Sequence, residues 1–318
     1  MTRVVFMGTP DFALPSLCAL YKAGYDIAAV VTQPDKPRGR HMKMTPPPVK
    51  EAAAELGLRI LQPDSVRSDE FADAIQDLNP ELIVTAAYGK ILPRRILEIP
   101  RACINVHASL LPKYRGASPI QACLFNGDEI SGVTIMLMDE GMDTGDILAQ
   151  SSVAVPLDMN AGELTEKLAE LGADLLTETL PGFISGEIRP LKQNESEATV
   201  VRPVTRSDGC IDWTLDVRSV HDKVRGCYPW PGAFSSLNGK RIKIFRSSVP
   251  VNIYSPCDIC YSDQIQGTIV VSPDKGRIFI KCSDGFIEIH DLQIEGCRNL
   301  PASVCAHNFG NGAVLGGN

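Results

Sequence analysis

Apolar residues in the first 190 positions gather into short, nearly unbroken runs, separated by stretches where they recur every third and fourth residue. RVVFMG (3–8), DIAAVVT (26–32), ELIVTAAY (81–88) and ACINVHAS (102–109) are apolar at most positions, the pattern of strands covered on both sheet faces. FALPSLCALYKAG (12–24), PVKEAAAELG (48–57) and SDEFADAIQDLN (68–79) lie among them and read as helices. The alternation predicts βαβ units with right-handed crossovers, hence an α/β domain with a mostly parallel sheet and helices on both faces. GVTIMLMDE (132–140) and DILAQSSVAV (146–155) predict two further strands around GMDTG, and residues 161–186 a long helix.

The pattern then changes. Residues 187–206 are polar, carry two prolines and lack periodicity, as a linker would. Helical DVRSVHDKVRGC (216–227) is followed by period-two segments at 233–245, 266–282 and 284–294, with turn signals at Asn238-Gly239 and in PDKG. The expected organisation is a domain over 1–189, a linker over 190–206, and a small antiparallel, OB-like β-barrel over 207–318.

A chain of 318 residues has room for two such domains. Its 44% hydrophobic and 22% charged residues suit a globular protein with a sizeable core. No apolar run reaches the roughly 20 residues of a membrane span, and MTRVVFMGTPDF lacks the regions of a signal peptide. The ten cysteines are scattered, and Cys257 and Cys260 have no second CxxC to complete a zinc site. They predict thiols in a reducing cytoplasm, with no metal. A net charge of −7 argues against general nucleic-acid binding, so any such contact must come from a local cluster of cations.

INVHASLLPKYRGASPIQ (104–121) carries the candidate chemistry. Alternation puts Asn105, His107 and Ser109 on one face at a strand's carboxyl end, where ligands of open α/β sheets bind. An asparagine amide offers N–H donors to a developing oxyanion, and an imidazole exchanges protons near neutral pH. Together they suit acyl transfer, with the attacking group supplied by the substrate. Asp143 lies between Gly141 and Gly145, glycines that permit φ > 0 and would let its carboxylate reach the imidazole. An aspartate in such a turn can equally bond its own backbone. At the first strand's end, Gly8 stands alone where a Rossmann dinucleotide site needs three glycines, so NAD is not expected.

GTPDFALPSL, TQPDKPRGR, AAYGKILP, HASLLPKYRG, MDEGMDTGDIL, GCIDW and YPWPGAF together resemble the folate-dependent formyltransferases over essentially the whole chain. TQPDKPRGR and the C-terminal segments place the resemblance in the branch that formylates methionyl-tRNA. The resemblance implies a Rossmann-like formyltransferase fold and 10-formyltetrahydrofolate as co-substrate. It makes Asn105, His107 and Asp143 the formyl-transfer site, and places Ser109, Leu110, Leu111 and Pro112 along the folate, where the leucines would offer an apolar wall to a flat pterin.

QPDKPRGRHMKMTPPPVK (33–50) supplies a local cation cluster: Lys36, Arg38, Arg40, Lys43 and Lys50 against a single acid, Asp35. Its prolines and glycine predict an induced-fit loop rather than a helix across 33–48. In the family this loop enters the tRNA acceptor end. Arg40 aligns with its key arginine, and Lys36, Arg38 and Lys43 add attraction. GKRIKIFR (239–246) is a weaker second patch, since cations opposite buried isoleucines need no further explanation. Trp213 and Trp230 are expected to pack rather than stack on bases. A monomer is expected. The competing expectations are a formyltransferase for a small amine, such as an amino-sugar nucleotide or glycinamide ribonucleotide, and a folate- or RNA-binding module with a dead site.

Overall fold

Register, rather than any single strand, brings the candidate residues together. In the computed structural model, which describes residues 1–39, 42–250 and 264–316, β1 (Arg3–Gly8) pairs in parallel with β2 (Asp26–Val31). A short hairpin follows, β3 (Lys36–Arg38) with β4 (Lys43–Thr45), then β5 (Ile60–Leu61), β6 (Leu82–Ala86) and β7 (Ala102–His107). β8 (Arg115–Gly116) is a two-residue strand, and β9 (Ile130–Leu137) and β10 (Ile147–Ala154) complete the set. The main sheet has the order β10-β9-β7-β6-β1-β2-β5. β1, β2, β5, β6 and β7 are parallel, and β9 and β10 run antiparallel to their neighbours.

Both faces are covered, as the continuous apolar runs require. Val5, Met7, Ala29, Val31, Ile83 and Cys103 pack with residues of α1 (Asp69–Asp77) and α2 (Arg94–Leu97). On the opposite face α3 (Ala161–Ser185) approaches so closely that a Cβ on Gly172 would lie 2.7 Å from Val106 Cγ1. Cys103, Asn105 and His107 share a face by alternation, so the candidate side chains project on the α1/α2 side at the open carboxyl edge. Gly8 serves packing: a Cβ there would lie 2.7 Å from the Cβ of Ala13.

The chain divides into two compact units. One comprises Met1–Pro119, Ile130–Ala154 and Thr165–Arg202; the other comprises Ile120–Glu129, Val155–Leu164 and Pro203–Asn318. Part of the stretch read as linker therefore belongs to the first unit, where β11 (Val200–Val201) pairs in parallel with β8.

In the second unit, Asp216 caps the helix Val217–Gly226 by accepting the Ser219 N–H at 2.8 Å. Val217, Val220 and Val224 of that helix join Ile242, Ile244, Ile269, Ile280 and Ile289 in one core. These isoleucines come from a curled antiparallel sheet of β12 (Ala233–Leu237), β13 (Lys240–Ser248), β14 (Ile269–Val271), β15 (Ile278–Lys281), β16 (Phe286–Ile294) and β17 (Leu300–Pro301). Val314 and Gly316 bridge to Thr268 and Ser236 near its two outer strands, bending the sheet toward the expected barrel. Trp213 is buried, with its indole N–H on Ser235 Oγ at 3.0 Å, but Trp230 is half exposed, against expectation. Cys257 and Cys260 lie outside the described residues.

Candidate active site

Three elements deliver the candidate groups. β6 and β7 pair Thr85 with Asn105, and β7 and β9 pair His107 with Thr134. The turn after β9 brings Asp143 back toward the end of β7. Its carboxylate lies 3.5 Å from Asn105 Nδ2 and 3.6 Å from His107 Nδ1, so the structure joins all three.

The amide of Asn105 has a defined orientation. Thr85 Oγ1 donates to its Oδ1 at 2.7 Å, which turns the two N–H donors away from β6. His107 is buried, and its Nε2 sits 3.0 Å from the carbonyl oxygen of Tyr114. A carbonyl only accepts, so Nε2 carries a proton, and the nitrogen free to gain or lose one is Nδ1, beside Asp143. Cys103, one alternation below Asn105, cannot act as a thiolate at neutral pH: burial pushes its thiol up to about 12.

The Asp143 turn differs from expectation in one respect. The flanking glycines do not take up the unusual backbone; Asp143 itself sits at φ +56°. Gly141 and Gly145 provide room instead, since a Cβ would collide with Thr144 Oγ1 at the first and with the Leu137 carbonyl at the second. Asp139 closes the turn by accepting from the Gly141 N–H at 3.0 Å and the Thr144 hydroxyl at 2.6 Å. The Asp143 carboxylate accepts the Gly116 N–H at 2.8 Å. Gly116, at φ +111°, is a position where only glycine fits, because a Cβ would strike the carbonyl of Val201.

Residues 109–112 are locked from below. Thr134, fully buried, donates to the Ser109 carbonyl at 2.6 Å and accepts the Leu111 N–H at 3.0 Å. Gln150 Nε2 holds the Leu111 carbonyl at 2.8 Å, and the Ser109 hydroxyl donates to the Lys113 carbonyl at 2.6 Å. The expected apolar wall needs correction. Leu111 turns inward and packs with Met136 and Ile147, so Leu110 and Pro112 are the apolar side chains left part-exposed.

The basic segment is a hairpin rather than an open loop, with Lys36 opposite Thr45 and Arg38 opposite Lys43. Arg40 lies outside the described residues. Lys36 and Lys43 are exposed, and Lys36 Nζ donates to Gln33 Oε1 at 2.7 Å. Lys50 is neutralised by Asp35 at 2.8 Å, and Gln62 also donates to Asp35 at 2.9 Å. These two contacts hold the Asp35 carboxyl below the usual carboxylate range. In the second patch, Ile242 and Ile244 are buried, Arg241 lies over the Phe234 ring and Arg246 pairs with Asp291, as a structural strand would have them.

Several supporting residues carry no sequence signal. Thr85, Thr134 and Gln150 sit in strands with ordinary patterns, and Gln193 lies in the unpatterned stretch read as linker. Gly116 left the one usable sign, a glycine directly after Arg115 in a loop otherwise stiffened by proline.

Comparison with known proteins agrees with this architecture. A family model described as formyl transferase matches residues 2–180, and one described as formyl transferase, C-terminal domain, matches residues 203–310. The chain is 45% identical over 317 residues to the methionyl-tRNA formyltransferase of Caldanaerobacter subterraneus subsp. tengcongensis, covering 98% of this chain and 99% of that one. It is 44% identical to the enzyme of the same name from Acetivibrio thermocellus, covering 99% of each chain. Among solved structures, a methionyl-tRNA formyltransferase from Clostridium thermocellum superposes with a TM-score of 0.55 at 18% identity, covering 79% of this chain and 94% of that one. A sugar 3N-formyltransferase solved with dTDP and 5-N-formyl-THF superposes with a TM-score of 0.67 at 18% identity, over 94% and 99% of the two chains. With both formyl transferase models matched and relatives aligned nearly end to end, the chain belongs to the formyl transferase family.

Proposed function

We propose that this chain transfers the formyl group of 10-formyltetrahydrofolate to the α-amino group of initiator methionyl-tRNA, giving N-formylmethionyl-tRNA for translation initiation. The observation that carries this reading is the near end-to-end identity of 45% to a relative bearing that activity's name. The convergence of Asn105, His107 and Asp143 at the carboxyl edge of the sheet supports it. Residues 1–189 would carry the chemistry, and residues 207–318, with the basic hairpin, would hold the tRNA.

The chemistry is acylation of an amine that attacks unprotonated: its nitrogen bonds to the formyl carbon, the bond from that carbon to folate N10 breaks, and the proton shed by the amine is balanced by the one N10 gains as tetrahydrofolate leaves. As the amine adds, negative charge grows on the formyl oxygen, and the Asn105 N–H donors stabilise it. His107, held at Nε2 by the Tyr114 carbonyl, stabilises the same charge and moves a proton through Nδ1. Asp143 orients that imidazole and balances its charge when it is protonated. Thr134, which is buried, and Gln150 fix the backbone of residues 109–112, so Ser109, Leu110 and Pro112 line the folate while Leu111 anchors the segment. Preordering of this kind lowers the entropic cost of binding. The folate is a co-substrate consumed in each turnover. Arg40, with Lys36, Arg38 and Lys43, would reach the acceptor end of the tRNA.

A formylation assay with catalytic amounts of protein tests the acceptor. Charged initiator tRNA is expected to be formylated, and a dTDP-amino sugar or glycinamide ribonucleotide at equal concentration is not. Preference for either small amine would replace this reading, and no formyl release with any acceptor would leave only a binding module.

A further inference from the structure

Gln193 lies 50 residues from Asp143 in sequence, yet its side chain is built into the turn that carries that carboxylate. Its amide Nε2 donates to the Asp143 carbonyl at 2.8 Å and to the Gly145 carbonyl at 2.7 Å, spanning residue 144. Its Oε1 accepts from Arg115 Nε at 3.0 Å and Nη2 at 2.9 Å. Arg115 is itself buried, and its guanidinium is completed by Glu195 at 2.9 and 2.7 Å. Every polar atom of the Gln193 amide is therefore paired, and the pairs point in one direction, from Arg115 through Gln193 to the Asp143 backbone.

The turn needs such a hold. Asp143 occupies left-handed backbone that non-glycine residues enter at a cost, and such residues persist only where the surroundings over-determine them. The carboxylate is already fixed by the N–H of Gly116, the residue after Arg115. One short segment, Tyr114–Gly116, thus touches His107 through the Tyr114 carbonyl and Asp143 through the Gly116 N–H, and Arg115 reaches the same turn through Gln193.

We infer that Gln193, clamped by Arg115, is a positioning residue for formyl transfer: it sets the Asp143 turn so that the carboxylate meets His107. The inference rests on the proposed function and assigns the stretch after residue 190 a part in the chemistry. Gln193 is buried and its amide is fully engaged by protein groups, so its loss should appear in turnover and not in binding.

The test is a double-mutant cycle in the full-length protein, with formyl transfer to methionyl-tRNA as readout. Gln193→Met is expected to lower kcat by roughly tenfold to a hundredfold, the scale for a misplaced reacting group, and to leave KM for tRNA and folate unchanged. In an Asp143→Asn background the same substitution should cost little more, because the two residues act through one geometry. Gln193→Glu keeps an acceptor for Arg115 but has no N–H for the two carbonyls, and it should lose kcat while retaining folate binding and the wild-type melting profile. It therefore serves should Gln193→Met fail to fold. Full additivity in the cycle, equal rises in both KM values, or wild-type kcat in Gln193→Glu would each overturn the inference with the parent reading intact. A wild-type chain unable to formylate methionyl-tRNA would overturn both.

Discussion

His107→Ala should lower formyl-transfer turnover at least about 10²-fold, because it removes a positioned proton carrier from the reacting centre. Asn105→Ala should cost a similar factor, about 10²- to 10³-fold, by removing a preorganised N–H donor to the developing oxyanion. The structure makes both substitutions clean. Thr85 fixes the amide of Asn105 from one side, and His107 is held by a backbone carbonyl rather than by a core side chain. Folding should survive each change, and folate binding measured on the same preparations should stay near wild type. The ratio of kcat to KM separates this result from a loss of substrate binding, since groups used only in the transition state lower kcat and kcat/KM together. Near-normal turnover in either variant would remove that residue from the mechanism.

Arg40→Ala should divide the two substrates. Loss of a charge-assisted hydrogen bond of about 1.5–3 kcal/mol lowers kcat/KM for methionyl-tRNA by roughly tenfold to a hundredfold. Folate affinity should not change. Arg40 falls between the paired residues Arg38 and Lys43 of the hairpin, whose base is tied by Lys50 and Gln62 to Asp35. A second readout tests the nature of the contact: if Arg40 meets phosphate, the slope of log affinity against log salt should shrink by about one. Equal losses toward tRNA and folate would refute the division of labour between hairpin and sheet edge.

The sheet was largely legible because long parallel strands buried on both faces leave continuous apolar runs, as at 3–8, 26–32, 81–88 and 102–109. Elements too short to show a period were not. Ile60–Leu61 is a two-residue edge strand, and Arg94–Leu97 is one turn of helix. At the site, the alternation that put Asn105 and His107 on one face was visible, and so was the glycine-flanked Asp143. The conformation of that turn was not, because its positive φ falls on an aspartate and depends on hydrogen bonds from Gly116 and Gln193. Long-range side-chain to backbone contacts of this kind leave no local periodicity. The inward rotation of Leu111 was hidden for a related reason: Leu110 and Leu111 are chemically equivalent, and the hydrogen bonds that Thr134 and Gln150 share with the backbone of residues 109–111 decide which one is buried.

The central claim is that one amide and one imidazole at the end of β7 meet the formyl group. A crystal structure of the protein with 5-formyltetrahydrofolate bound would test it most directly. The expected complex has the pteridine alongside residues 109–112 and the N10 position within hydrogen-bonding reach of Asn105 Nδ2 and His107. A folate seated away from these two side chains, with both unaltered and out of contact, would contradict the account.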